Sequence, residues 1–323
     1  MNRRTVLLAA AAGLAAPAIL RAQAAYPERP IRLIIPWPPG QATDLAGRVV
    51  AQSLSERLGQ PVVPENRAGA GGVIGTDAVA KAAPDGYALL AASLGPITTA
   101  PLVQRTPYDA ERDFAPVASF GLSPYVLVTG PGFPARTVEE FLATVRADPG
   151  KHTYATSGAG AAAHLISLMF HNAAKLKAVH VPFQGSAPGL TAVVAGQVDY
   201  ALETLAGTGP LIRQGQLRAL GVSLANGTAL APEIPPLARA EGLAGFDVGA
   251  WVGMMAPAGT PQPIIDRLAA EVERAMAAPA VRERFASIGV EADVRKGAPL
   301  AAYLKEQSDK FREVIQENNI RLD

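Results

Sequence analysis

Short apolar runs alternate with helix-period patterns along most of this chain, and that alternation constrains the fold more than any other feature. Ile31-Arg32-Leu33-Ile34-Ile35 reads as a buried strand. Leu45, Val49, Leu54 and Leu58 then recur at helical spacing until Gly59 stops the helix. Val62-Val63 is a short strand, Val73 to Ala82 a helix, and Ala88 to Ala92 a strand entered through the Asp85-Gly86 turn. This β-α-β-α-β order predicts a parallel α/β sheet with helices on both faces.

A second set follows. Tyr125 to Val128, Tyr154 to Thr156, Ala178 to Val181, Val198 to Leu202 and Leu217 to Val222 read as strands. Thr137-Val138-Glu139-Glu140 is a capping box opening a helix through Arg146. Ala161 to Ala174 and Ser186 to Ala195 are further helices, whereas Asn226 to Gly245 reads as loop. Val252 to Ala256 is a last strand, and Thr260-Pro261 reads as an N-cap with Pro at the first helical position. Three helices then have only one adjacent strand to cover. The economical solution returns the chain to its first lobe, with crossings near Gly121–Pro124 and Val248–Trp251 and a ligand cleft between lobes. The expected division is residues 26–122 with 250–323 as one lobe and 123–249 as the other.

Residues 1–25 read as an export signal rather than as fold. Arg3 and Arg4 precede an apolar run from Val6 to Leu20, and Ala22-Gln23-Ala24 is a small-x-small cleavage pattern. The paired arginines fit a twin-arginine signal, and an ordinary Sec signal is equally compatible. An uncleaved anchor is a third option. Loss of Arg3, Arg4 and Arg21 moves the net charge from +1 to −2, which leaves no electrostatic footprint for nucleic acid. The uncharged run from Phe114 to Ala135 holds Pro116, Pro124, Pro131 and Pro134, so it is no spanning helix. A soluble periplasmic protein, not inserted in the membrane after signal removal, is the expectation. The chain has no Cys, which excludes disulfides, Cys-based metal sites and a thiol nucleophile.

Catalytic motifs are missing. No G-x-S-x-G, H-E-x-x-H, calcium-loop or phosphate-loop pattern occurs. His164 and His171 share a helix face and read first as packed or hydrogen-bonded, with a metal or catalytic role as the alternative. Gly158 to Ala163 matches G-x-G-x-x-A, but Lys175, Lys177 and His180 occupy the region where a dinucleotide site needs an acid. No cofactor and no metal are expected, and no catalytic residue is assigned.

Two loops remain. Trp37-Pro38-Pro39-Gly40-Gln41-Ala42-Thr43-Asp44 and Thr156-Ser157-Gly158-Ala159-Gly160-Ala161 each follow a strand and open a helix. A helix start offers unpaired N–H groups and a positive dipole end, which suit a carboxylate. Thr43 and Ser157 add hydroxyl donors. Ordinary strand-to-helix turns with side-chain caps are the competing reading, and Asp44 and Arg48, four apart, are spaced to pair on the helix.

At these loops the chain resembles the Bug-type extracytoplasmic solute-binding receptors of tripartite tricarboxylate transporters. The matching segments include Tyr26 to Ile31, Pro36 to Gly40 with Thr43-Asp44, Glu65 to Gly72 and Ala83 to Tyr87. Tyr154 to His164, His180 to Pro188, Gly196 to Asp199, Trp251 to Gly253 and Ala256 to Pro261 continue the match through the chain. The resemblance implies a two-lobed periplasmic-binding-protein fold of type II-like connectivity that closes on a small carboxylate-type ligand. It implies ligand contacts at Trp37, Pro38, Pro39, Gly40, Gln41, Ala42 and Thr43, and at Ser157, Gly158, Gly160, Ala161 and Ala162. Ser93, Gly95, Phe183, Gln184, Gly185 and Ser186 are its expected pocket walls. Glu203 stands where the family often shows Asp, Gln41 where it often has a second Gly, and Ala161 to Ala163 replace a commonly Ser-containing stretch. The implied partners are integral-membrane transporter subunits, or a sensor in an alternative reading, and the implied state is a monomer. An exported enzyme on the same fold is the remaining alternative.

Overall fold

The computed structural model describes residues 26–317; the export-signal reading lies outside them. The first strands and helices are β1 (Ile31–Ile35), α1 (Ala42–Leu58), β2 (Val62–Asn66), α2 (Val73–Ala80) and β3 (Ala88–Ser93). The long strand β4 (Phe114–Thr129) leads to α3 (Val138–Ala147), β5 (Thr153–Thr156), α4 (Ala162–Ala174), β6 (Val179–Pro182) and α5 (Ser186–Val194). Then come β7 (Tyr200–Thr204), α6 (Leu205–Arg213), β8 (Arg218–Val222), β9 (Gly249–Pro257), α7 (Gln262–Ala277), α8 (Pro279–Ser287) and α9 (Gly297–Glu317).

One curled sheet runs in the order β2-β1-β3-β9-β4-β7-β5-β6, with β8 also on β4. Each end is a parallel triplet, β2-β1-β3 and β6-β5-β7, as the alternation predicts. The centre is antiparallel: β9 lies between β3 and β4, and β4 continues onto β7 and β8. Phe114 to Pro124 pair with β9, Tyr125 to Thr129 with β7, and Val126 to Thr129 with β8. The change of partner falls at Pro124–Tyr125, close to the crossing expected near Gly121–Pro124.

Sequence patterning foresees only the last part of β4, because Pro116 and Pro124 argue against a central strand. The structure admits Pro116 by breaking register, with irregularities between Pro116 and Ala118 and between Ser119 and Gly121. Helix α6 is a second unforeseen element; Gly207, Gly209 and Pro210 hide it. At the start of α7 the N-cap is Pro261 and the helix begins at Gln262. Thr260 is therefore not the cap: its hydroxyl donates to the Pro257 carbonyl at 2.7 Å.

Strand β1 is apolar on both faces because both are covered. Ile31, Leu33 and Ile35 pack with Val50 and Leu54 of α1 and Leu268 and Val272 of α7. Ile34 faces a different cluster that joins the lobes, running through Leu90, Phe141, Phe170, Trp251 and Phe311. Each such fully buried aliphatic side chain contributes about 1.5–3 kcal/mol. A third cluster, around Val126, Val128, Leu190 and Val193, fills the other face of the second lobe. The parallel triplets are thus held rigidly, and the loops leaving them are placed by packed cores.

Candidate ligand-binding site

The first loop leaves β1 at Pro36 and enters α1 at Ala42. Its shape comes from polar bracing. Asp44, 2% exposed, accepts from the Gly40 N–H, from Arg48 Nε and from Asn66 Nδ2, all at 2.8–2.9 Å. Asn66 Nδ2 also donates to the Trp37 carbonyl at 2.9 Å, and Arg48 Nη2 donates to Asn66 Oδ1 at 2.6 Å. The pairing of Asp44 with Arg48 is therefore real, but its product is a fixed loop rather than a capped helix. The N-cap of α1 is Gln41, whose side chain makes no cap hydrogen bond.

Trp37 folds back over the lobe. Its Nε1 donates to Ser93 Oγ at 2.9 Å. A Cβ on Gly95 would stand 2.9 Å from the indole ring, so only glycine admits Trp37 there. Ser93 and Gly95 thus seat the first loop through Trp37. Thr43 is buried, whereas Pro38, Pro39 and Gly40 are exposed.

The second loop runs from Thr156 to Ala161 and is turned by Gly158 (φ 141°) and Gly160 (φ 71°). Much of its hydrogen bonding is internal. The Gly158 N–H donates to Thr156 Oγ1 at 3.3 Å, the Gly160 N–H to His164 Nδ1 at 3.1 Å, and the Ala161 N–H to the Gly158 carbonyl at 3.3 Å. Thr156 Oγ1 also lies 2.7 Å from His180 Nε2. Ala161 is the N-cap of α4 and supplies no side-chain cap, and the first turn holds no acid.

A third loop, Phe183-Gln184-Gly185, leaves β6 for α5. The Phe183 and Gly185 N–H groups donate to the Thr156 and Ser157 carbonyls at 3.0 and 3.2 Å, which ties it to the second loop. Gly185 (φ 112°) is the N-cap of α5 and likewise makes no side-chain cap bond. Gln41 of the other lobe reaches this point: its Nε2 stands 3.8 Å from the place a Cβ would take on Gly185. Loops from both lobes therefore meet, and three helix starts without side-chain caps are grouped there.

Glu203 closes β7 behind them. It is buried, and its Oε1 accepts from the Thr204 N–H at 2.8 Å. Burial pushes its carboxyl above the usual carboxylate range, opposed by the Thr204 N–H and by the Ser186 and Thr204 hydroxyls. Glu203 thus adjoins Ser186 at the start of α5. No Lys or Arg belongs to the residues expected to touch ligand, and Arg48 is committed to Asp44 and Asn66. Such a site favours an anion through N–H groups and helix dipoles rather than through a full positive charge.

Two cavities flank the crossings. One, of about 220 Å³, lies between lobes and is lined by Leu45, Leu205, Ile212 and Ile288. The other, of about 410 Å³, is lined by Leu122, Gly249, Arg295, Tyr303 and Gln307. Neither is lined by a residue that the resemblance implies as a ligand contact or pocket wall. Among the described residues, no group of three His, Cys, Asp or Glu side chains is placed to hold a metal ion. No described helix is long and apolar enough to cross a membrane.

Sequence reasoning missed the braces. Asn66 ties the first loop from another strand and His180 the second; His164, read from the sequence as packed or hydrogen-bonded, is hydrogen-bonded to the Gly160 N–H. The available signal was their chemistry, polar residues on otherwise apolar elements; their contacts span chain separations that local spacing does not report.

Comparison with known proteins identifies the family and the fold. The sequence profile described as the tripartite tricarboxylate transporter family receptor, TctC, matches residues 46–320. The Protein BugT of Bordetella pertussis is 36% identical over 315 residues, covering 97% of this chain and 95% of BugT. The solved structure of Rpa4515 of R. palustris with adipate is 29% identical, with TM-score 0.85, covering 92% of this chain and 99% of that one. MatC from Rhodopseudomonas palustris with bound malate is 33% identical, with TM-score 0.80, covering 90% of this chain and 100% of that one. The two R. palustris structures share the fold over nine-tenths of this chain, and the profile match covers most of its length: the chain belongs to the TctC family of tripartite tricarboxylate transporter receptors.

Proposed function

We propose that this protein is an exported, monomeric receptor that captures a small carboxylate between two lobes and delivers it to the membrane subunits of a transporter. In this reading one lobe is residues 26–122 with 250–317 of the described residues, and the other is 123–249. The observation that carries this reading is the group of helix starts at Gln41, Ala161 and Gly185, each without a side-chain cap. Buried N–H groups need partners, and a carboxylate supplies acceptors and the charge that helix dipoles favour. The adipate and malate bound by the two R. palustris proteins support that ligand class. The ligand leaves unchanged, as the receptor family to which the chain belongs suggests.

A thermal-shift and calorimetry panel tests it, with adipate, malate, benzoate and glutamate as probes and the matched amides as controls. A true ligand at one hundred times its Kd stabilises the fold by about 2.7 kcal/mol. The amides bind poorly, and bound acid is recovered intact. A protein that responds equally to acids and amides is not a carboxylate receptor.

A further inference from the structure

The turn from Thr156 to Gly160 bends through two left-handed glycines, and imidazoles hold it. His164, in the first turn of α4, and His180, on β6, stack with centroids 3.9 Å apart and planes 7° from parallel. Each ring engages the turn. His164 Nδ1 accepts from the Gly160 N–H, and His180 Nε2 meets Thr156 Oγ1, the same oxygen that receives the Gly158 N–H. Tyr154 of β5 lies against the pair, 5.0 Å from His180 at 24° and 6.5 Å from His164 at 21°.

We propose that His164 and His180 are positioning residues: their stacked, neutral rings fix the Thr156–Gly160 turn in the shape that receives ligand. This rests on the receptor reading above. The hydrogen bonding sets the chemistry. Because the Gly160 N–H is a donor, His164 Nδ1 must be unprotonated, and the neutral ring then carries its proton on Nε2. By taking the Gly160 N–H, His164 also decides which amides of the turn remain for an anion.

The surroundings keep the rings neutral. β5 contributes Tyr154 and Thr156, β7 contributes Tyr200, and α4 contributes His171, whose Nε2 meets the Tyr200 hydroxyl at 2.8 Å. No carboxylate offsets a positive charge there: burial, and then the neighbouring His180, hold His164 down to about 4, and burial lowers His180 as well. Protonating His164 at Nδ1 removes the acceptor for Gly160 and places a cation on a stacked partner. The turn is therefore released in acid by the same event that charges the ring.

The test uses the exported protein without ligand first. Amide exchange at Gly160 is compared in wild type, His164→Phe and His164→Asn. Phe keeps a ring over His180 but has no acceptor; Asn returns an acceptor near the place of Nδ1. The protection factor of Gly160 should fall at least tenfold in H164F and recover in H164N, while Phe141 in α3 keeps its protection and so reports an intact fold. In wild type, Gly160 protection should be lost along the same titration as the His164 ring nitrogens. With adipate and malate as probes, affinity should drop at least fivefold in H164F and return in H164N. Unchanged Gly160 protection in H164F overturns the proposal, as does faster exchange with unchanged affinity. A wild-type protein that binds neither acid, nor any other in the panel, overturns the receptor reading instead, while the Gly160 result still decides whether His164 holds the turn.

Discussion

Helices α3 and α4 lie in the same lobe and begin in opposite ways. At α3, Thr137 Oγ1 accepts from the Glu140 N–H at 3.2 Å, and Glu140 Oε2 accepts from the Arg136 N–H at 2.6 Å. Glu139 and Glu140 set two acids in its first turn, and Thr137 is exposed. At α4 the N-cap is Ala161, the first turn has no acid, and Ala161 and Ala162 are half-buried. The physical demand is the same, since the first turn of any helix has N–H groups without intrahelical acceptors. One helix meets it with a cap hydroxyl and an acid of its first turn. The other has neither: His164 takes the Gly160 N–H just ahead of the cap, and the proposed ligand carboxylate would supply further acceptors. Helix α1 is intermediate, uncapped at Gln41 yet held by Asp44 one turn on.

Acid separates the two regions most widely. Helix α4 carries His164 and His171, and α3 carries no histidine. Burial lowers the His171 imidazole from 6.5 to about 3 and His164 to about 4. Below pH 6.5 the unfolded chain therefore takes protons that the folded chain refuses, so stability falls as pH drops from 6.5 toward 4 and then 3. For buried His171 the loss is on the order of 3 kcal/mol by pH 3. Urea midpoints across this range should flatten in His171→Gln; an identical slope would remove α4 as the source.

Bracing comes next. Asp44→Ala leaves the Gly40 N–H, Asn66 and Arg48 without their shared acceptor. The expected loss is about 2 kcal/mol of stability, read from urea unfolding, together with weaker carboxylate binding. A stable variant with normal affinity would show that the first loop needs no brace.

Gly160→Val puts a β-branched side chain at φ 71° in the second turn. Binding should weaken tenfold or more, about 1.4 kcal/mol, by calorimetry. Full affinity would mean that the turn tolerates rearrangement and that the start of α4 is not the anion site.

The finest discriminator exchanges the two kinds of helix start. Thr137→Ala should cost about 1 kcal/mol of stability and leave affinity untouched. Ala161→Asp should do the reverse, adding roughly 0.5–1 kcal/mol while lowering affinity, because an internal carboxylate then occupies the amides meant for ligand. Two variants that both lose stability without a change in binding would erase the distinction.

Local pattern made the capping box at Thr137 readable, because its residues are four neighbours with fixed geometry. The strand β1 was readable for a similar reason: an apolar run covered on both faces needs no partner to be named. Both ligand loops were legible as strand-to-helix turns rich in glycine. The first eleven residues of β4 were not, since Pro116 and Pro124 mimic a loop, although a register shift against β9 follows Pro116 and Pro124 pairs with Gly249 at the strand's change of partner. Helix α6 was hidden by Gly207, Gly209 and Pro210, whose low helix propensity tertiary packing overrides.

The amino-acid sequence alone determined the α/β alternation, the two crossings and the two anion-suited loops, because these depend on period, turn chemistry and short spacing. Tertiary structure decided what each loop does with its polar groups. Whether the Gly160 N–H faces a ligand or His164, and whether Asp44 caps a helix or braces a loop through Asn66, depends on which strands come together. Hydrogen bonds act over about 3 Å in space. Asp44 and Asn66 are 22 residues apart along the chain, and only the packed sheet brings them within that reach.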